Sequence, residues 1–217
     1  MYRLDFKAEG DIGTLILPSN AASAVIEAGT VGTLDASRCH HTRPMELRCH
    51  VEEADMNESL ESLVVSDDSL FRFRGLTGLN HITFLHPVDL APLSRMTEVR
   101  PLTDVYVMRD LSDEPWDLGP LAEADFTILR LGNTLTGDDL AALTGGSFTA
   151  VEMSDEAIGD IGFLDNLPNV TSLLLTVSAN QSEEVLPYMN TMTACPAEAL
   201  AALSTPLPAD RLVSFSY

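Results

Sequence analysis

The chain has 217 residues, 45% of them hydrophobic, and 33 acids against 12 bases give it a formal net charge of -21. The apolar content supports a sizeable core and argues against wholesale disorder. The charge disfavours direct binding to DNA, RNA or anionic lipid and favours encounter with a basic protein.

Lys7 is the sole lysine, the other bases being arginine. Adaptation to salt is an alternative source of the acidity. The first residues, MYRLDFKAEGDIG, lack a basic region followed by an apolar run, so no signal peptide is expected. No stretch reaches the ~18 consecutive apolar residues of a membrane span. Three cysteines, Cys39, Cys49 and Cys195, are few and odd in number, which points to a reducing, cytoplasmic setting.

In chain order, Tyr2, Leu4 and Phe6 alternate as in a strand, a second strand is expected at Thr14–Leu17, a helix at Ala21–Ala28 and a strand near Glu46–Val51. Residues 1–55 are therefore expected to form an N-terminal cap or small αβ unit. From there one motif recurs: apolar, two residues, apolar, one residue, apolar. It appears as Leu79-Ile82-Phe84, Leu102-Val105-Val107, Phe126-Leu129-Leu131, Phe148-Val151-Met153 and Val170-Leu173-Leu175, with middle positions 23, 24, 22 and 22 residues apart. Leu60-Leu63-Val65 is a weaker copy. Thr103, Thr127, Thr149 and Thr171 follow the first apolar position in four copies. The last three positions alternate in and out as a short strand does.

Between these strands, short helices are expected within Pro87–Met96 and over Thr136–Leu143, and another from Ser154 to Ile161. Residues 111–125 carry two prolines and are expected to be a loop with a late helical turn. Beyond the repeats, Pro196–Leu203 is expected as a helix with proline at its first position and Arg211–Tyr217 as a last strand, within a C-terminal cap of residues 178–217.

A period of about 20–29 residues with one strand each, and above all the copy Leu164-Asp-Asn-Leu167-Pro-Asn-Val170-Thr-Ser-Leu173-Leu-Leu175, resembles the leucine-rich-repeat family. The resemblance covers residues 56–177. It departs from the family in lacking, in most copies, the asparagine after the strand that ties successive turns; Asn133 falls one residue early. The resemblance implies an α/β fold: a curved right-handed solenoid with a parallel sheet, an N-terminal αβ cap and a C-terminal cap, in one continuous structural domain. It also implies a docking surface on the concave face of the sheet. The exposed column is then Thr83, Tyr106, Arg130, Glu152 and Leu174, preceded by His81, Asp104, Ile128, Ala150 and Ser172 and followed by Leu85, Met108, Gly132, Ser154 and Thr176. Tyr106, Met108, Arg109 and Arg130 are of the types that anchor protein interfaces.

Sites of chemistry are sparse. With its lysine at position 7 the chain has no phosphate-loop lysine, and G-x-G-x-x-G, G-x-S-x-G, H-E-x-x-H and C-x-x-C do not occur. All five histidines lie between positions 40 and 86, beside Cys39 and Cys49. Their spacing matches no standard zinc site, and Cys49 and His50 would face opposite ways on one strand. His86 with Asp104 or Asp110 is a candidate base–orienter pair, without a visible nucleophile. No catalytic residue, metal or cofactor is therefore assigned. The expected function is a non-enzymatic protein–protein interaction module, in concrete form an acidic immunity or inhibitor protein with a basic partner. The alternatives are a nucleic-acid mimic that occupies a DNA-binding protein, and a structural or assembly subunit.

Overall fold

A computed structural model describes residues 2–41, 43–67, 69–108, 116–132, 135, 137–154, 166–170, 172–176 and 212–216, the last two segments as backbone. Eleven strands form one sheet: β1 (Tyr2–Lys7), β2 (Ile12–Ile16), β3 (Ala21–Asp35), β4 (Met45–Asp55), β5 (Ser62–Val65), β6 (His81–Phe84), β7 (Leu102–Val107), β8 (Phe126–Leu131), β9 (Ala150–Ser154), β10 (Ser172–Thr176) and β11 (Leu212–Ser216). The order is β1-β3-β4-β5-β6-β7-β8-β9-β10-β11, with β2 beside the second half of β3, and every pairing is parallel. The sheet is not closed.

The pairing register follows the apolar motif. Leu63, Ile82, Val105, Leu129, Val151 and Leu173 pair in succession, as do Thr83, Tyr106, Arg130, Glu152 and Leu174 one residue further on. Register is this well specified because a slip of one residue would carry each apolar pair to the wet face. Leu63, Ile82, Val105, Leu129 and Val151 are fully buried, and so are Val65, Phe84, Val107, Leu131 and Met153 two residues on.

The N-terminal expectation needs correction. Ala21–Ala28 is not a helix; it is the first half of β3, and residues 2–55 hold no helix among those described. Helix propensity favours alanine by less than ~1 kcal/mol per residue, and β3 is held by ladders on both sides. Within it Ala24 and Ile26 are buried, while Val25 and Glu27 face the other way. The strands expected at Tyr2–Phe6, Thr14–Leu17 and Glu46–Val51 are present as β1, β2 and β4. Position 55 is not a break in the sheet, because β4 pairs with β5 across it.

Helical pieces fill the connections of the second half. Helix α1 (Pro92–Val99) begins with proline in its first turn, where no backbone donor is needed. Helix α2 (Gly137–Ala141) is one turn long, and short 3-10 turns occupy Ser69–Arg72, Leu76–Gly78 and Gly119–Glu123. Their apolar residues Leu70, Leu93, Leu121 and Leu140 join the strand residues in one core. Trp116 meets Phe84 edge-on at 6.5 Å, and Phe126 stacks on Phe148 at 5.1 Å. The helices expected at 154–161 and 196–203 lie outside the described residues.

Among the described residues, turn-to-turn ties come from residues ahead of the strands. Asn57 Nδ2 donates to Ser37 O (2.7 Å), and Asn169 Nδ2 donates to Gly146 O (2.6 Å). Thr97 Oγ1 accepts from Asp125 N (2.9 Å), and Ser147 Oγ donates to Ala124 O (3.0 Å). Each joins neighbouring connections across about one period.

Candidate docking surface

The face opposite the core is set by the same alternation. Residues between the buried pairs form a row across successive strands: Asp5, Val25, Glu46, Val64, Thr83, Tyr106, Arg130 and Glu152. Thr83, Tyr106, Met108, Arg130 and Glu152 are all half-buried. The expected surface is thus brought together, except that Arg109 lies outside the described residues and Leu174 is placed by its backbone register alone.

Charge on this face alternates from strand to strand. His81 Nδ1 is hydrogen-bonded to Asp104 Oδ2; Arg130 Nη2 lies 3.7 Å from the same oxygen, and Arg130 Nε lies 3.4 Å from Glu152 Oε2. These Arg130 contacts are ionic, the first too long and the second too poorly aligned for a hydrogen bond, leaving its Nε without an acceptor. Asp104 is 6% exposed. Burial and the carboxylate of Glu152 push the Tyr106 phenol above its usual range, against the pull of Arg130. The Tyr106 hydroxyl donates to Met108 Sδ at 3.7 Å. Met108 in turn lies over Gly132, where an added Cβ would come within 2.9 Å of Met108 Cγ.

Toward β1 cations again meet carboxylates, between strands in one case and within a strand in two. Lys7 Nζ donates to Glu27 Oε1 (2.5 Å), Arg48 Nε to Glu46 Oε1 (2.6 Å) and Arg3 Nε to Asp5 Oδ1 (2.8 Å). Arg3, Lys7, Arg48 and Arg130 therefore each sit against a carboxylate on this face. Further acids are exposed in the connections, at Glu58, Glu61, Asp89, Glu98, Asp117, Glu123 and Asp125. A cleft of about 620 Å³ opens beside Met108, bounded by Glu27, Glu46, Arg48, Ser66, Leu85 and His86.

The histidine–cysteine group is dispersed. Cys49 is buried on the core side of β4 while its neighbour His50 is on the other face, as strand alternation requires. Burial raises the Cys49 thiol to about 11 and also pushes Cys39 up. His41 is 4% exposed with neither ring nitrogen hydrogen-bonded, and burial lowers its pKa. Among the described residues no three His, Cys, Asp or Glu side chains converge as a metal site would need.

Asp104 holds His81, not His86. A second imidazole–carboxylate pair, which the sequence did not suggest, joins His50 Nδ1 to Asp67 Oδ2 at 2.6 Å. Arg72 Nη2 donates to His50 Nε2 at 3.3 Å, so Nδ1 carries the proton given to Asp67. These residues come together because the chain after β5 folds back beside the end of β4, where Arg74 bridges Asp55. That fold-back left no periodic signal in the sequence.

The fold and face define an α/β protein whose strands pair in parallel and whose open sheet face carries a sign-alternating ladder. Compared with known proteins, the chain matches no family model, no curated protein and no solved structure. Among the described residues, no helix is long and apolar enough to cross a membrane.

Proposed function

We propose that the protein is a non-enzymatic protein–protein interaction module of the leucine-rich-repeat kind, a curved right-handed solenoid capped at both ends. It docks a basic protein partner on the open sheet face, in the manner of an acidic immunity or inhibitor protein in the cytoplasm. The observation that carries this reading is the half-buried row Thr83, Tyr106, Arg130 and Glu152 with Met108 beside it, on the face opposite the core. It combines a rigid aromatic, a polarisable thioether and a guanidinium fork on a stiff sheet, a composition suited to interface anchors.

The placement of charge divides the labour. Cations on the face are already matched by carboxylates, so close contact rests on Tyr106 and Met108. The net charge of -21 acts at a distance and speeds the encounter with a basic surface.

The test is capture from the native host at low salt, followed by titration of the recovered protein against variants. A basic protein should be retained, its association should slow as salt rises, and Tyr106→Ala should weaken binding about tenfold or more. A partner that binds Tyr106→Ala and Met108→Ala as tightly as the parent protein overturns the reading.

A further inference from the structure

The outer edge of β1 is an open row of backbone donors and acceptors, since β1 pairs with β3 on one side only among the described residues. Tyr2 N donates to Asn20 O and Ala8 N to Glu27 O. The even-numbered residues of β1 therefore bond inward to β3, and Arg3, Asp5 and Lys7 direct their backbone groups outward. Exposed strand edges are normally blunted because they template pairing with another chain. Here the large hydrophobics exposed among the described residues, Tyr2 at 43% and Ile16 at 66%, both lie on the edge strands β1 and β2.

We infer that this edge pairs two copies of the chain through an antiparallel, two-fold symmetric seam centred on Leu4. The segment Tyr2-Arg3-Leu4-Asp5-Phe6 is self-complementary under that operation. Arg3 falls opposite Asp5 of the second copy, twice, and these are the residues whose backbone groups point outward, so they form the hydrogen-bonded pairs of the seam. Leu4 meets Leu4 in the closer, non-hydrogen-bonded pair, on the side where Leu4 and Phe6 already border the core. Tyr2 meets Phe6 across the seam, an aromatic cross-strand pair.

Other registers fit less well. Centring on Arg3 or Asp5 opposes like charges. Centring on Phe6 requires Lys7, which is held by Glu27 at 2.5 Å, and runs into the bend at Glu9 and Gly10. Charge also selects this edge. A chain of net charge -21 repels its own copies, but β1 carries Arg3 and Lys7 against Asp5 alone. Arg3 and Asp5 now pair with each other along the strand at 2.8 Å, both well exposed, and are free to exchange partners.

A seam of this size is at the small end of specific interfaces, so the dimer is weak and concentration-dependent. Sedimentation velocity of the untagged chain from about 1 to 300 μM should show a monomer–dimer equilibrium. Arg3→Asp and Asp5→Arg should each be monomeric over that range, since each opposes like charges at the seam. Mixed in equal amounts, they should form a heterodimer, because the two acids of one variant then lie opposite the two arginines of the other. That restoration in trans cannot come from repairing the pair within one strand. A parent protein that stays monomeric, a dimer indifferent to Arg3→Asp, open filaments, or variants that stay monomeric when mixed would each overturn the inference.

Discussion

Residues 2–55 and residues 62–154 are built on the same ladder and differ in how the chain continues beyond it. In the first region β3 runs for 15 residues and β4 for 11, and the second half of β3 has a further neighbour in β2. In the second region strands last four to six residues and give way to helices or 3-10 turns. The residues after the shared ladder explain the divergence. Gly29-Thr30-Val31-Gly32-Thr33 and His50-Val51-Glu52-Glu53 contain no proline and bury Val31 and Val51, so each residue can keep its place in the ladder. Pro87 and Pro92 cannot donate to a ladder, and a helix starts at Pro92. One periodic sheet face is thus compatible with two kinds of return, chosen locally.

The seam between the regions is where a single change should do most damage. Gly75 has φ +76°, and a Cβ there would lie 2.0 Å from Met56 O. Gly75→Ala should cost about 3 kcal/mol or more in chemical denaturation, pulling the return segment 66–74 off β4. An unchanged midpoint would show that the regions are not coupled there.

Core truncations sharpen the contrast between centre and edge. Leu129 is fully buried between β7 and β9, so Leu129→Ala should destabilise by ~2–5 kcal/mol. Leu4, partly buried on the edge strand, should cost about half as much when truncated, measured at low protein concentration. Equal losses would mean that the edge is as tightly packed as the centre.

His41 gives the first region its own pH response. Its folded pKa is lowered below the unfolded value of about 6.5 by burial. Above that pH both states are neutral and nothing is lost; as pH falls through it, the unfolded chain takes up the proton preferentially and stability declines. His41→Leu should flatten thermal stability between pH 7.5 and 5 and raise it at the acid end. A slope unchanged by the substitution would place the response elsewhere.

The smallest effect expected is kinetic. Cys39 and Cys49 are buried, with thiols raised by burial, so in the folded protein both should react with a thiol reagent at pH 7.5 far more slowly than in denaturant. Site-resolved mass spectrometry of the product distinguishes them from Cys195.

The ladder of the second region was legible because leucine, valine, isoleucine and phenylalanine mark the core positions. The first region carries the same spacing in weaker residues. Leu4 pairs with Ala24, and β4 continues the series with Met45, which pairs with Leu63. Ala21-Ala24-Ile26 obeys the motif, but alanine scores as a helix former and hides the strand. Of the candidate site, the row Thr83–Glu152 and the adjacency of His81 to Asp104, one period apart, could be aligned from spacing alone, whereas His50–Asp67 joins residues 17 positions apart, off the period.

Periodicity by itself determined which residues face the core and which share a row, because a strand offers only two faces and burial selects one of them. Tertiary structure decided the partners within a row and the fate of each return segment. Those outcomes depend on contacts between separate turns of the chain, whose energies rest on distance and burial that no local pattern encodes.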